Sequence, residues 1–284
     1  MRVALETTIF SALGLPDPHG RDALRRCIAA VESHGAVPAV TAVIDGEPVV
    51  GLWPEHHERI FGCTAKVAAR DLPVAVAQRW PCGVTTVSAA LQLATNAGIE
   101  VFATGGIGGV HRDVATSGDV SADLYAIRTS PVVTVCAGAK AFLDIPRTLE
   151  QLETWGVPVV VLGSDDFPAF TTRRSGAPSP RRVDSVEEIV SVVRAARQLG
   201  YRGGILVAVP VPPSEEVPKE VLDAAIEHAI ARATAAGVAG PAVTPYVLDA
   251  IAIATDGRSI PANLALAEQN AAVAARLAVA LASG

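Results

Sequence analysis

Two β-branched apolar runs, residues 101–104 (VFAT) and 132–135 (VVTV), pass without any polar buffer into small residues, GGIGG after the first and CAGAK after the second. Such runs are the pattern of strands buried on both faces, and in an open α/β sheet the carboxyl ends of buried strands are where a site forms. Gly105, Gly106, Gly108 and Gly109 let backbone N–H groups come close to a ligand. His111, Arg112, Asp119, Ser121 and Asp123 follow, and then Lys140, behind Cys136-Ala137-Gly138-Ala139 with no bulky or charged neighbour. An ammonium in that position is expected to be desolvated, which makes it a candidate nucleophilic amine. Taken singly, Lys140 reads as a snorkelling lysine and Asp119 or Asp123 as the cap of a helix over residues 121–127. Gathered between two strand ends, they read as a site. The glycines are not a dinucleotide fingerprint, because the third glycine position falls on His111.

The same grammar of strand, loop and helix recurs along the chain. Residues 2–9 read as a first strand with Glu6 inside an apolar run, either on an edge facing water or as a buried acid with a raised pKa. Residues 21–34 are a packing helix. Residues 37–44 and 48–51 flank Asp45-Gly46 as a hairpin, and His56-His57 reads as a solvated pair on a short polar helix. Lys66 stands before a helical stretch, 71–80. A further helix over 85–97 has Thr85 and Thr86 at its start, and such an N-terminus suits an anion such as a phosphate. Strands follow at 157–162 and 204–209, a long loop at 167–183, and helices at 148–155, 186–199, 217–236, 244–254 and 263–281. The expected fold is therefore α/β, a three-layer α/β/α arrangement on a mixed, largely parallel sheet, forming one catalytic domain over residues 1–284.

A net charge of −6 offers no basic footprint for nucleic acid. No apolar run reads as long enough to span a membrane and the start has no cleavable apolar core, so the cytoplasm is the expected compartment. Cys27, Cys63, Cys82 and Cys136 lack C-x-x-C spacing and sit in apolar segments, as reduced, buried thiols do.

The ordered set ALETTI, AKVAARDLP, GVTTV, VFATGGIGGVHR, DVSADL, VCAGAK, FPAF, TPYVL and SIPANLAL resembles the pseudouridine-5'-phosphate glycosidases along nearly the whole chain. The resemblance implies a homotrimer, a Mn²⁺-assisted site, and reversible breakage of the carbon–carbon bond joining ribose 5-phosphate to a planar aglycone, uracil. It implies that Lys140 forms a Schiff base with C1 of the opened sugar, that Glu6 shuttles protons, and that Asp119 holds the metal through one oxygen and waters. Lys66, Val87, His111, Ser121, Asp123 and Asn263 fall on matching positions that line the sugar-phosphate and base site, with Lys66 also among the catalytic groups. Thr86 joins the binding set as the anion-facing helix start. The chemistry is coherent, since a C-glycosidic bond has no leaving heteroatom and an iminium at C1 supplies the missing electron sink.

Departures from the family pattern gather on the aglycone side. A His-Gly and an Asn expected after the first strand are replaced within residues 11–20 (SALGLPDPHG), Ala-Asn-Pro becomes Ala208-Val209-Pro210, and Ala65 and Ala68 flank Lys66 in place of small polar residues. Carboxamides are natural readers of a uracil edge. The expectation is therefore a C-ribosyl synthase acting on a non-uracil ring. The alternatives are a pseudouridine-5'-phosphate glycosidase with a divergent base pocket, and a non-catalytic sugar-phosphate binder.

Overall fold

The computed structural model describes residues 1–15, 17–238 and 243–283, so Pro16, within the loop expected over 14–20, lies outside the described residues. The strands are β1 (Arg2–Leu5), β2 (Val37–Ile44), β3 (Glu47–Val50), β4 (Lys66–Val67), β5 (Cys82–Thr85), β6 (Val101–Ala103), β7 (Val133–Cys136), β8 (Val159–Leu162), β9 (Arg182–Val183) and β10 (Ile205–Ala208). The helices are α1 (His19–Ser33), α2 (Pro54–Phe61), α3 (Leu72–Ala77), α4 (Val87–Asn96), α5 (Val114–Ser117), α6 (Ala122–Thr129), α7 (Ile145–Thr154), α8 (Val186–Gln198), α9 (Lys219–Ala235), α10 (Val243–Ala254) and α11 (Ser259–Ala282).

The strands form one sheet in the order β4-β5-β2-β1-β6-β7-β10-β8-β9, with β3 paired to β2. Every pairing is parallel except β2 with β3 and β2 with β5, which makes the sheet mixed and largely parallel, as expected. Alternation along the strands divides the core. Val3 and Leu5 face a layer that holds α1, α8 and α11, whereas Ala4 and Phe102 face α4, α6, α7 and α9. The hairpin turn has Asp45 and Gly46 both at positive φ, 53° and 81°, the geometry that matches the twist of the strands it joins.

Strand β2 is long enough to serve two partners. Its residues 37–40 pair with β1 in parallel and its residues 42–44 pair with β5 running the other way. The C-terminal ends of β1 and β5 therefore meet. Their junction is sealed by hydroxyls: Thr7 Oγ1 donates to the Thr41 carbonyl at 2.8 Å, Thr85 Oγ1 lies 2.8 Å from Thr41 Oγ1, and Thr8 N–H donates to the Thr85 carbonyl at 3.1 Å. Buried polar groups require such partners.

Several sequence expectations change here. Residues 6–9 are not strand: β1 ends at Leu5, in the middle of the sheet rather than on an edge, and Glu6 begins the turn beyond it. Thr85 belongs to strand β5, not to a helix start, and Lys66 lies in strand β4 beside it. Helix α11, long and apolar enough by length and composition to cross a membrane, lies instead along α1, β6 and β7, with Glu268, Gln269 and Asn270 at its middle. Cys27 and Cys136 are buried thiols pushed up to about 12 by desolvation, while Cys82 is only half-buried.

Candidate active site

The strand ends open into a cavity of 890 Å³ lined by Glu6, Lys66, Thr86, Val87, His111, Asp119, Ser121, Asp123, Lys140 and Asn263, whereas Arg112, also named from the sequence, lines a separate cavity. They come from both sides of the β1–β5 junction. Glu6 follows β1, Thr86 follows β5, and the glycine-rich segment follows β6. Lys140 lies beyond β7, its N–H donating to the Ile107 carbonyl at 3.1 Å, so the two segments that dominate the sequence are stitched together. Gly138 makes that approach feasible: its φ is +82°, and a Cβ there would lie 2.1 Å from the Pro168 carbonyl oxygen.

Glu6 is 6% exposed and accepts a hydrogen bond from Thr104 Oγ1 at 2.6 Å. Burial pushes its carboxyl up to about 7, against the pull of the nearby Lys140 ammonium and of the Thr104 hydroxyl. An acid poised there exchanges protons near neutrality. Thr104 is in turn held by Asn270 of α11, whose side-chain N–H₂ donates to the Thr104 carbonyl at 2.8 Å and the Gly105 carbonyl at 3.2 Å. Lys66 is held below the usual lysine range by burial first and by the Lys140 charge second. One cavity thus holds two amines and one nearly neutral carboxyl.

Asp123 does something the sequence did not reveal. Its Oδ1 accepts the Ser88 N–H at 3.1 Å and its Oδ2 the Gly108 N–H at 2.9 Å, so one buried carboxylate ties the start of α4 to the glycine loop. This corrects the anion-site expectation for that helix, because a protein carboxylate already occupies part of its N-terminus. Thr86 sits at the N-cap, yet its hydroxyl pairs with Ser88 Oγ at 2.9 Å and not with the backbone. The cap of α6 is Ser121, which accepts the Asp123 N–H at 3.2 Å, so neither Asp119 nor Asp123 is a cap. Gly108 is required by this packing, since a Cβ there would lie 2.2 Å from Ser121 Oγ.

Asp119 presents one half-exposed carboxylate to the cavity, with Oδ2 3.7 Å from His111 Nε2. Among the described residues no cluster of three or more His, Cys, Asp or Glu surrounds it. That donor set fits a hydrated divalent cation that keeps most of its water, and does not fit a dry protein cage. Asn263, in the second turn of α11, has a buried side-chain oxygen without a hydrogen-bond partner. The lining also includes the apolar residues Ile9, Leu13, Leu15, Phe170 and Leu248. Thr104 and Phe170 were not singled out in the sequence: the first is one small residue past a strand, and the second lies in a loop whose path periodicity does not encode. His56 and His57 lie outside the cavity lining and are half-buried rather than solvated.

Comparison with known proteins places this geometry. A family model described as indigoidine synthase A like protein matches residues 2–280. The chain is 50% identical over 98% of its length to a pseudouridine-5'-phosphate glycosidase of Methylobacterium nodulans, covering 83% of that relative. It is 48% identical over 99% of its length to another of Gemmatimonas aurantiaca, covering 92%. Among solved structures, the prealnumycin C-glycosynthase AlnA in complex with ribulose 5-phosphate superimposes with a TM-score of 0.89 at 35% identity, over 99% of this chain and 91% of that one. An indigoidine synthase A-like protein of Thermotoga maritima gives 0.90 at 35% identity, over 99% and 92%. The chain belongs to the family of the pseudouridine-5'-phosphate glycosidases, matched by the indigoidine synthase A-like model.

Proposed function

We propose that this protein breaks and makes the C–C glycosidic bond between C1' of ribose 5-phosphate and a planar ring, with pseudouridine 5'-phosphate as its substrate. The observation that carries the reading is the convergence of Lys140 and a buried Glu6, raised to about 7, in one cavity at the meeting of the strand ends. Protonated Glu6 gives its proton to the ring oxygen as the furanose opens, and the Lys140 amine bonds to C1'. The carboxylate of Glu6 takes the proton that the lysine nitrogen releases on bonding to C1' and passes it to C5 of the ring. The nitrogen lone pair then forms the iminium while the C1'–C5 bond breaks, its electrons staying with uracil, and water hydrolyses the iminium to ribose 5-phosphate. The unpaired side-chain oxygen of Asn263 suits an N–H edge such as that of uracil. Lys66, His111 and Ser121 supply the cationic and hydroxyl groups that a phosphorylated sugar calls for, and Asp119 would hold a hydrated Mn²⁺ whose charge offsets that of the phosphate. Three copies of the chain make up the working assembly.

The relatives support cleavage more than the synthase expected from the altered base side. Two observations favour the synthase as a second reading. The lining includes the apolar residues Ile9, Leu13, Leu15, Phe170 and Leu248, and a C-glycosynthase is among the structural neighbours. Incubation with Mn²⁺ and pseudouridine 5'-phosphate separates the two. Release of uracil at about one turnover per second or faster is expected, and bare traces would sink the cleavage reading. Borohydride reduction in the presence of ribose 5-phosphate should place the sugar's mass on Lys140. A label on Lys66 instead would reassign the nucleophile, and saturable binding with no label would mark a non-catalytic binder.

A further inference from the structure

Phe170 is the one bulky aromatic residue with positive φ among the described residues, at 62°, a conformation that costs a side chain of its size free energy. A glycine would make the same turn without strain, so the turn alone does not account for the ring. The backbone is held there by its surroundings. Phe170 N–H donates to the Ala137 carbonyl at 2.9 Å, and Ala169 bridges to Gly138, two residues before Lys140.

The ring, in turn, dictates its neighbours. A Cβ on Gly106 would lie 2.6 Å from Phe170 Cδ2, and one on Gly105 would lie 3.4 Å from Phe170 Cε2 and 2.7 Å from Ile9 Cδ1. Gly106 is thus kept bare by the Phe170 ring and Gly105 by Ile9, so that both side chains close over the backbone. Gly105 directly follows Thr104, the partner of Glu6, and Phe170 lines the cavity that Glu6 and Lys140 share. Phe170, 6% exposed, therefore shares one cavity with the reacting groups.

We propose that Phe170 is the specificity-determining residue for the aglycone: its ring packs on the flat face of the base or other planar ring while C1' reacts at Lys140. The inference rests on the reaction proposed above and adds what selects its second substrate. Stacking of a ring on an aromatic side chain needs no hydrogen-bond code, so such a platform accepts planar heterocycles and carbocycles alike and rejects saturated ones.

The test runs the reaction in the condensing direction with ribose 5-phosphate and uracil, and compares Phe170→Leu, Phe170→Met and Phe170→Tyr with the wild type. Leu and Met keep most of the volume and lose the ring. Tyr keeps it. In the Leu and Met variants KM for uracil should rise about tenfold, while KM for ribose 5-phosphate and the borohydride-trapped mass on Lys140 stay within about twofold of the wild type; Tyr should retain uracil affinity. An unchanged KM for uracil in Leu and Met overturns the proposal. So does a parallel rise in both KM values, which a merely loosened site produces, or loss of fold in both variants, which assigns the ring to packing. Absence of adduct and of turnover in the wild type itself would instead overturn the underlying reaction, and the role of Phe170 with it.

Discussion

Glu6 shows what a single residue costs. Its carboxyl is raised from an ordinary 4.5 to about 7, so the folded protein holds that proton more tightly than the unfolded chain does. The corresponding stability is fully present below pH 4.5 and is lost as pH rises through 7. Glu6→Gln cannot ionise, so its stability relative to the wild type should increase across that window by on the order of 3 kcal/mol, while turnover is lost. Urea denaturation of both proteins from pH 4.5 to 8 checks this. A difference that stays flat with pH would mean that Glu6 is not buried as described. Such an exchange of stability for activity is usual where a site holds a group in an unfavourable state.

At the scale of elements, the site depends on joints rather than on any one strand. Asp123 joins α4 to the glycine loop through two backbone N–H groups, and the threonine cluster joins β1, β2 and β5. Asp123→Asn preserves the shape but turns an N–H₂ toward one of the two donors. It should destabilise the fold by about 2 kcal/mol, read as a lower urea midpoint with an unchanged slope. A variant as stable as the wild type would remove the clamp from the account. These joints were opaque in sequence. Asp123 reads equally well as a helix cap, and CGVT, four residues with a glycine, is too short to separate from the helix that follows it. The long strands and helices were legible because their periodicity persists over several turns or pairs.

For the whole molecule, the proposed trimer predicts a sedimentation-equilibrium mass of about three times the 29.2 kDa of one chain, and the mass of one chain would sink it. Helix α11 poses a related question of environment. Its apolar length alone fits a membrane, yet it lies against α1 and the sheet, with Asn270 completely buried and bonded to the strand end that holds Glu6. Only the packing partner distinguishes the two uses of such a helix.

By itself, the sequence determined the α/β layering, the buried central strands and the cast of cavity residues, because these follow from period, from runs of small residues and from motifs quoted whole. Tertiary structure alone decided that β1 and β5 meet end to end, that Thr104 hydrogen-bonds Glu6, that Asp123 is a clamp, and that Phe170 lines the same cavity as Lys140. Each of those facts is a contact between segments distant along the chain, such as Thr104 and Glu6 at a separation of 98 residues or Asn270 and Thr104 at 166. Local propensity carries no information about such pairs, which are selected by the burial and hydrogen bonding of the assembled sheet.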